Sequence, residues 1–165
     1  MEFFARLRTL KVAMKFVVMT VWLSAALGAS AAAGPPDLSG TWQLDAARSQ
    51  LNEPVESATL TLNHKPDTIS LEENEVLPGG KQDSFRLQCG TMGKSCAFKD
   101  GREPVEVTVY HNGERLVIME LRGKNKEQVT KKRFSLAPDG QSLTVEVIHI
   151  SPPGEKTETM VYAKK

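Results

Sequence analysis

The chain has 165 residues, 40% of them hydrophobic and 25% charged, with two cysteines and a formal net charge of +1. That length accommodates one domain, and the charge fraction excludes a wholly disordered chain. Near-neutral charge excludes recognition of nucleic acid through global basicity. Two cysteines alone cannot build a zinc site.

The first 33 residues read as an export signal. Arg6, Arg8, Lys11 and Lys15 stand against one acid, Glu2, ahead of an apolar run over residues 16–27. The small residues Gly28-Ala29-Ser30-Ala31-Ala32-Ala33 follow, with cleavage expected after Ala33 or Ala31. The apolar run is shorter than the ~20 residues a membrane span needs, so no stable membrane insertion is expected after signal removal. Removal leaves residues 34–165 as one domain with a net charge of −2.

Beyond residue 33 the dominant pattern is period-two alternation interrupted by turn residues, the mark of short antiparallel strands. Residues 40–44 open the domain as a strand, and residues 45–49 make one helical turn. Residues 57–63 and 68–73 form two strands across His64-Lys65-Pro66-Asp67, and residues 83–89 form another after Pro78-Gly79-Gly80. The strongest local pattern runs over residues 105–119, where Asn112-Gly113 favours a type I′ turn. That turn would set Val109 opposite Leu116 and Val107 opposite Ile118 on one face, with Tyr110 opposite Arg115 on the other. Residues 126–136, 143–150 and 156–163 complete the strands, across Ala137-Pro138-Asp139-Gly140 and Pro152-Pro153-Gly154. An all-β antiparallel meander barrel of about eight to ten strands is the economical arrangement, since closure removes exposed edges. A two-sheet sandwich is the rival.

Ser39-Gly40-Thr41-Trp42-Gln43-Leu44-Asp45 places a glycine two residues before a tryptophan at the first strand. This resembles the G-x-W signature of lipocalin-like (calycin) barrels. The longer pattern G-T-W-x-L-D-x-x-x-S is similar to small exported bacterial proteins of that type. The resemblance implies that Trp42 closes one end of the barrel. It also implies an arginine covering Trp42 from the last strand; this sequence departs there, with Lys164 the nearest basic residue.

Cys89 and Cys96 bracket a short segment, and in an exported protein such a pair is expected to form a disulfide. A recognition loop and a redox pair are the alternatives, the latter lacking C-x-x-C spacing. His64, His111 and His149 are too scattered in sequence to nominate a metal site, and His64 and His111 are expected in solvent. His149 shares parity with Leu143, Val145 and Val147, and Glu120 continues the Leu116/Ile118 face. Either residue is a satisfied core group or a polar group that orients a ligand, and a buried Glu120 needs a partner. The basic run over residues 122–133 reads as a solvated hairpin or as an anion site.

No nucleophile–base motif, metalloprotease helix or phosphate loop is present, so no catalytic residue, cofactor or metal is nominated. The expectation is a periplasmic or secreted, non-catalytic binding protein that holds a small, mainly apolar ligand inside the barrel. Val107, Val109, Leu116, Ile118, Val145 and Val147 are the expected lining, with Glu120 and His149 as polar groups. The alternative is an envelope interaction protein, or an inhibitor of a secreted enzyme, with a filled barrel. A hollow interior favours the first and a packed one the second.

Overall fold

The computed structural model of the protein describes residues 34–100 and 103–165; for residues 98–100, 103 and 104 it describes the backbone only. The expected export signal, residues 1–33, lies outside the described residues. Ten strands follow in chain order: β1 Gly40–Leu44, β2 Ser57–Lys65, β3 Thr68–Leu77, β4 Lys81–Gly90 and β5 Met92–Asp100. The second half comprises β6 Glu103–Asn112, β7 Arg115–Arg122, β8 Gln128–Leu136, β9 Ser142–Ser151 and β10 Gly154–Lys164. A single 3-10 turn, Ala46–Arg48, is capped by the Asp45 carboxylate, which accepts from the Arg48 backbone N–H.

Every strand pairs antiparallel with its neighbours in the order β4-β3-β2-β1-β10-β9-β8-β7-β6-β5. The first and last strands pair with each other, Trp42 opposite Lys164, so the meander wraps round on itself. β4 and β5 stand at the two ends of the hydrogen-bonded order and leave one seam in a nearly closed barrel. The Cys89–Cys96 disulfide links those two strands across the seam.

Two local expectations are corrected. Residues 92–100, to which the sequence pattern assigns no strand, form β5, with a register shift between Met92 and Ser95 where Gly93 adopts positive φ. In the β6–β7 hairpin the tight turn is Gly113-Glu114, one residue later than Asn112-Gly113. Only Gly113 has positive φ there, at 61°, which fits a turn with glycine first of the two central residues. Val109 consequently lies opposite Ile118, Val107 opposite Glu120, and Tyr110 opposite Val117 rather than Arg115. The displacement is two residues in partner number, so it preserves which face each side chain occupies.

Inward-facing aliphatic residues from all around the wall fill the closed half of the barrel. Leu38, Leu60, Leu71, Val107, Ile118 and Leu143 are each at most 2% exposed, and Trp42, Phe134 and Tyr162 are the large aromatic members. Burial of this apolar surface is the main stabilising term.

Candidate functional site

At one end the barrel is sealed. Gly40 enters β1 with φ of 144°, a value that favours glycine, and the Trp42 indole beyond it is fully buried. The indole N–H donates to the Leu38 carbonyl at 3.1 Å, which satisfies its one polar group inside the core. The Lys164 ammonium lies 5.3 Å from the indole centroid, in the covering position the resemblance implied. His64 and His111, expected in solvent, instead meet at this end with ring centroids 5.3 Å apart. Burial, with the nearby His64, pushes the His111 imidazole below its ordinary value.

The other end changes character on several strands at the same level. Along β3 the inward row runs Ile69, Leu71, Glu73, Glu75; along β7 it runs Leu116, Ile118, Glu120, Arg122. On β8 it runs Phe134, Lys132, Thr130; on β9, Val145, Val147, His149; on β10, Tyr162, Met160, Glu158. Alternation carries each row inward whatever the residue type, so the apolar tier gives way to a charged one. A half-open cavity of about 360 Å³ occupies this second tier. Phe85, Val147 and Met160 supply its apolar surface, and charged and neutral polar side chains supply the rest.

The floor of the cavity is a buried network. The Lys132 ammonium donates to Glu73 Oε2 at 2.8 Å, and the Tyr162 hydroxyl donates to Glu73 Oε1 at 2.9 Å. Lys132 also lies 4.9 Å from the centroid of the Phe85 ring. Burial alone would raise the Glu73 carboxyl, but the Lys132 charge and the two hydrogen bonds outweigh it and hold the group below the ordinary carboxylate range. Burial likewise opposes charge on Lys132, but Glu73, Glu120 and Glu75 together raise the ammonium above its usual value. Burial, reinforced by Glu73, pushes the Tyr162 phenol far up, so it stays a donor.

Nearer the mouth, Glu120 is 3% exposed and accepts from Arg122 Nη2 at 3.0 Å, the partner a buried acid requires. His149 is half exposed at the rim, with Nε2 3.4 Å from Glu158 Oε1 and Nδ1 3.3 Å from Thr130 Oγ1. Glu75 is pushed above the ordinary carboxylate range by burial and by the neighbouring Glu73.

Of the residues singled out as lining, Glu120, Val147 and His149 border the cavity. Val107, Val109, Leu116, Ile118 and Val145 lie in the packed tier beneath, each at most 3% exposed. Glu73, Lys132 and Tyr162 join the site without having been expected there from the sequence. Parity held the information, since Lys132 sits two residues from Phe134 and Glu73 two from Leu71. The basic run divides by face. Arg122 and Lys132 turn toward the cavity, whereas Arg133 pairs outside with Glu146 at 2.8 Å. Among the described residues whose positions could ligate a metal, no cluster of three His, Cys, Asp or Glu forms.

No protein-family profile matches the chain, and no curated protein matches it in sequence. Solved structures share its fold. Lipid binding protein 8 of Caenorhabditis elegans superposes with a TM-score of 0.55 at 11% identity, over 78% of this chain and 95% of that one. A Schistosoma mansoni fatty acid binding protein, solved with arachidonic acid, gives a TM-score of 0.52 at 16% identity, over 81% and 99%. A secretory abundant heat soluble protein of Ramazzottius varieornatus gives a TM-score of 0.53 at 10% identity, over 80% and 98%. The likeness is one of fold, an antiparallel meander barrel.

Proposed function

We propose that the protein is an exported, non-catalytic carrier that takes a small, mainly apolar ligand with one polar group into the open end of its barrel. The observation that carries this reading is the half-open cavity of about 360 Å³ at one end of the barrel, with apolar and charged surface side by side. Barrels of the same fold that bind lipids and fatty acids support it. The ligand's apolar part rests on Phe85, Val147 and Met160, and its polar part meets the charged rim. Export, to the periplasm or the medium, rests on the basic, apolar and small-residue sequence of residues 1–33. N-terminal sequencing of the exported protein is expected to begin near Gly34.

Titration with Nile red, an uncharged solvatochromic dye, tests the carrier reading. Saturable one-to-one binding with a blue shift is expected, and its loss in Thr130→Trp, which places an indole in the cavity, locates the site. Absence of saturable binding overturns the reading. One observation favours the alternative of an envelope partner or enzyme inhibitor with a filled barrel. The closed half is packed, with Met92, between the bridged cysteines in sequence, 74% exposed. A protein partner docking there would be insensitive to Thr130→Trp.

A further inference from the structure

The charge of the cavity specifies the ligand further, on the footing that the cavity is the ligand site. Five carboxylates border it, those of Glu73, Glu75, Asp83, Glu120 and Glu158. The two permanent cations there, Arg122 and Lys132, are both engaged by carboxylates, at 3.0 Å and 2.8 Å. These five acids and two cations give the lining a formal net charge of −3. An incoming carboxylate or phosphate would have to break a buried ion pair and enter a field of its own sign, both unfavourable.

We propose that the ligand's polar group is a cation, an ammonium or similar nitrogen centre on an apolar body, received between Glu75, Asp83 and the Phe85 ring. The cavity already contains a demonstration of this chemistry. The Lys132 ammonium sits against a carboxylate oxygen at 2.8 Å and 4.9 Å from the Phe85 centroid, the surroundings an alkylammonium head requires. Glu75, two residues along β3 from Glu73, forms no hydrogen bond or ion pair among the described residues, so its carboxylate is available as the counter-charge. Phe85, Val147 and Met160 then accept the apolar remainder.

The test is displacement of Nile red by two probes of equal chain length, dodecyltrimethylammonium and dodecanoate, both below their micelle concentrations. The ammonium is expected to bind at least about tenfold more tightly, a difference of about 1.4 kcal/mol. Glu75→Gln and, separately, Asp83→Asn are expected to reduce that preference several-fold, read as the ratio of the two probes' affinities within each variant. Neither side chain hydrogen-bonds to Glu73, Lys132 or Tyr162, so both variants are expected to keep the fold, which circular dichroism checks. Equal affinity, or preference for dodecanoate, overturns the cation assignment and leaves the carrier reading standing. Failure of Nile red and of both probes overturns the two together. An ammonium preference that persists in Thr130→Trp places the binding elsewhere and also overturns the assignment.

Discussion

Tyr162, near the end of the chain, donates its hydroxyl to Glu73, 89 residues earlier, at 2.9 Å, and Lys132 closes on the same carboxylate at 2.8 Å. Three strands that are not adjacent in the sheet, β3, β8 and β10, thus meet at the boundary between the packed tier and the cavity. The carboxylate is fully committed, its two oxygens each holding a donor. This knot forms the floor of the cavity and ties opposite walls together.

Removing one member of the knot leaves a buried charge without its partner. Lys132→Met is expected to lower the unfolding free energy by about 3–5 kcal/mol, whereas Glu73→Leu with Lys132→Met together recovers most of the loss. Urea unfolding of the single and double variants measures the coupling. Additive losses would show that the pair is energetically independent.

The knot also sets the pH dependence of stability. Glu73 titrates lower folded than unfolded, so its contribution is present above its unfolded value of 4.5 and is lost as pH falls through the lower folded value. Lys132 titrates higher folded, so its contribution is complete below its unfolded value of 10.5 and is lost as pH rises through the folded value. Tyr162 has the same sign, with loss beginning above 10.0. Thermal unfolding from pH 3 to 11 is expected to show a plateau at neutral pH that falls at both ends. Glu73→Gln should flatten the acid limb.

Glu75 has the opposite sign from Glu73. Burial and neighbouring acids raise it, so its ionised form works against folding above the unfolded value of 4.5. Glu75→Gln is expected to raise the thermal midpoint at pH 7, and the gain should vanish in acid where wild-type Glu75 is protonated. A midpoint that falls at pH 7 would show that the carboxylate is stabilising. Cation binding and stability therefore place opposed demands on this one side chain.

The Cys89–Cys96 bridge spans the seam between β4 and β5, the two ends of the hydrogen-bonded strand order. Replacing both cysteines by serine is expected to cost about 2–3 kcal/mol from chain entropy. Guanidinium unfolding of the oxidised protein and of the double-serine variant measures the difference. Equal stabilities would show that the seam holds without it.

At the sealed end, Trp42→Ala is expected to cost about 3–5 kcal/mol because it empties the largest buried side chain. Lys164→Met, which removes only the covering ammonium, should cost less than about 1 kcal/mol. Chemical unfolding of the two variants checks the order.

The barrel was legible in the sequence because alternation of Val107, Val109, Leu116, Ile118, Leu143 and Val145 survives without any knowledge of partners. β5 was not, because Gly93, Lys94 and Ser95 interrupt the pattern and the pairing with β6 slips there. The hairpin turn was misplaced by one residue because Asn112 and Gly113 both suit positive φ and the sequence does not say which dipeptide the ladder selects. The charged floor stayed hidden for a different reason. Glu73 lies in the polar stretch Glu72-Glu73-Asn74-Glu75 and Lys132 in Lys131-Lys132-Arg133, where inward and outward positions carry similar residues. Their meeting is tertiary, between strands 59 residues apart.

Native mass spectrometry of the protein purified from the cells that make it addresses the central claim most directly. The account predicts a fraction of the protein carrying one additional small molecule, released on unfolding, basic in character and absent from Thr130→Trp prepared in the same way. Protein that is bare in every preparation, or a bound molecule retained unchanged in Thr130→Trp, would contradict it.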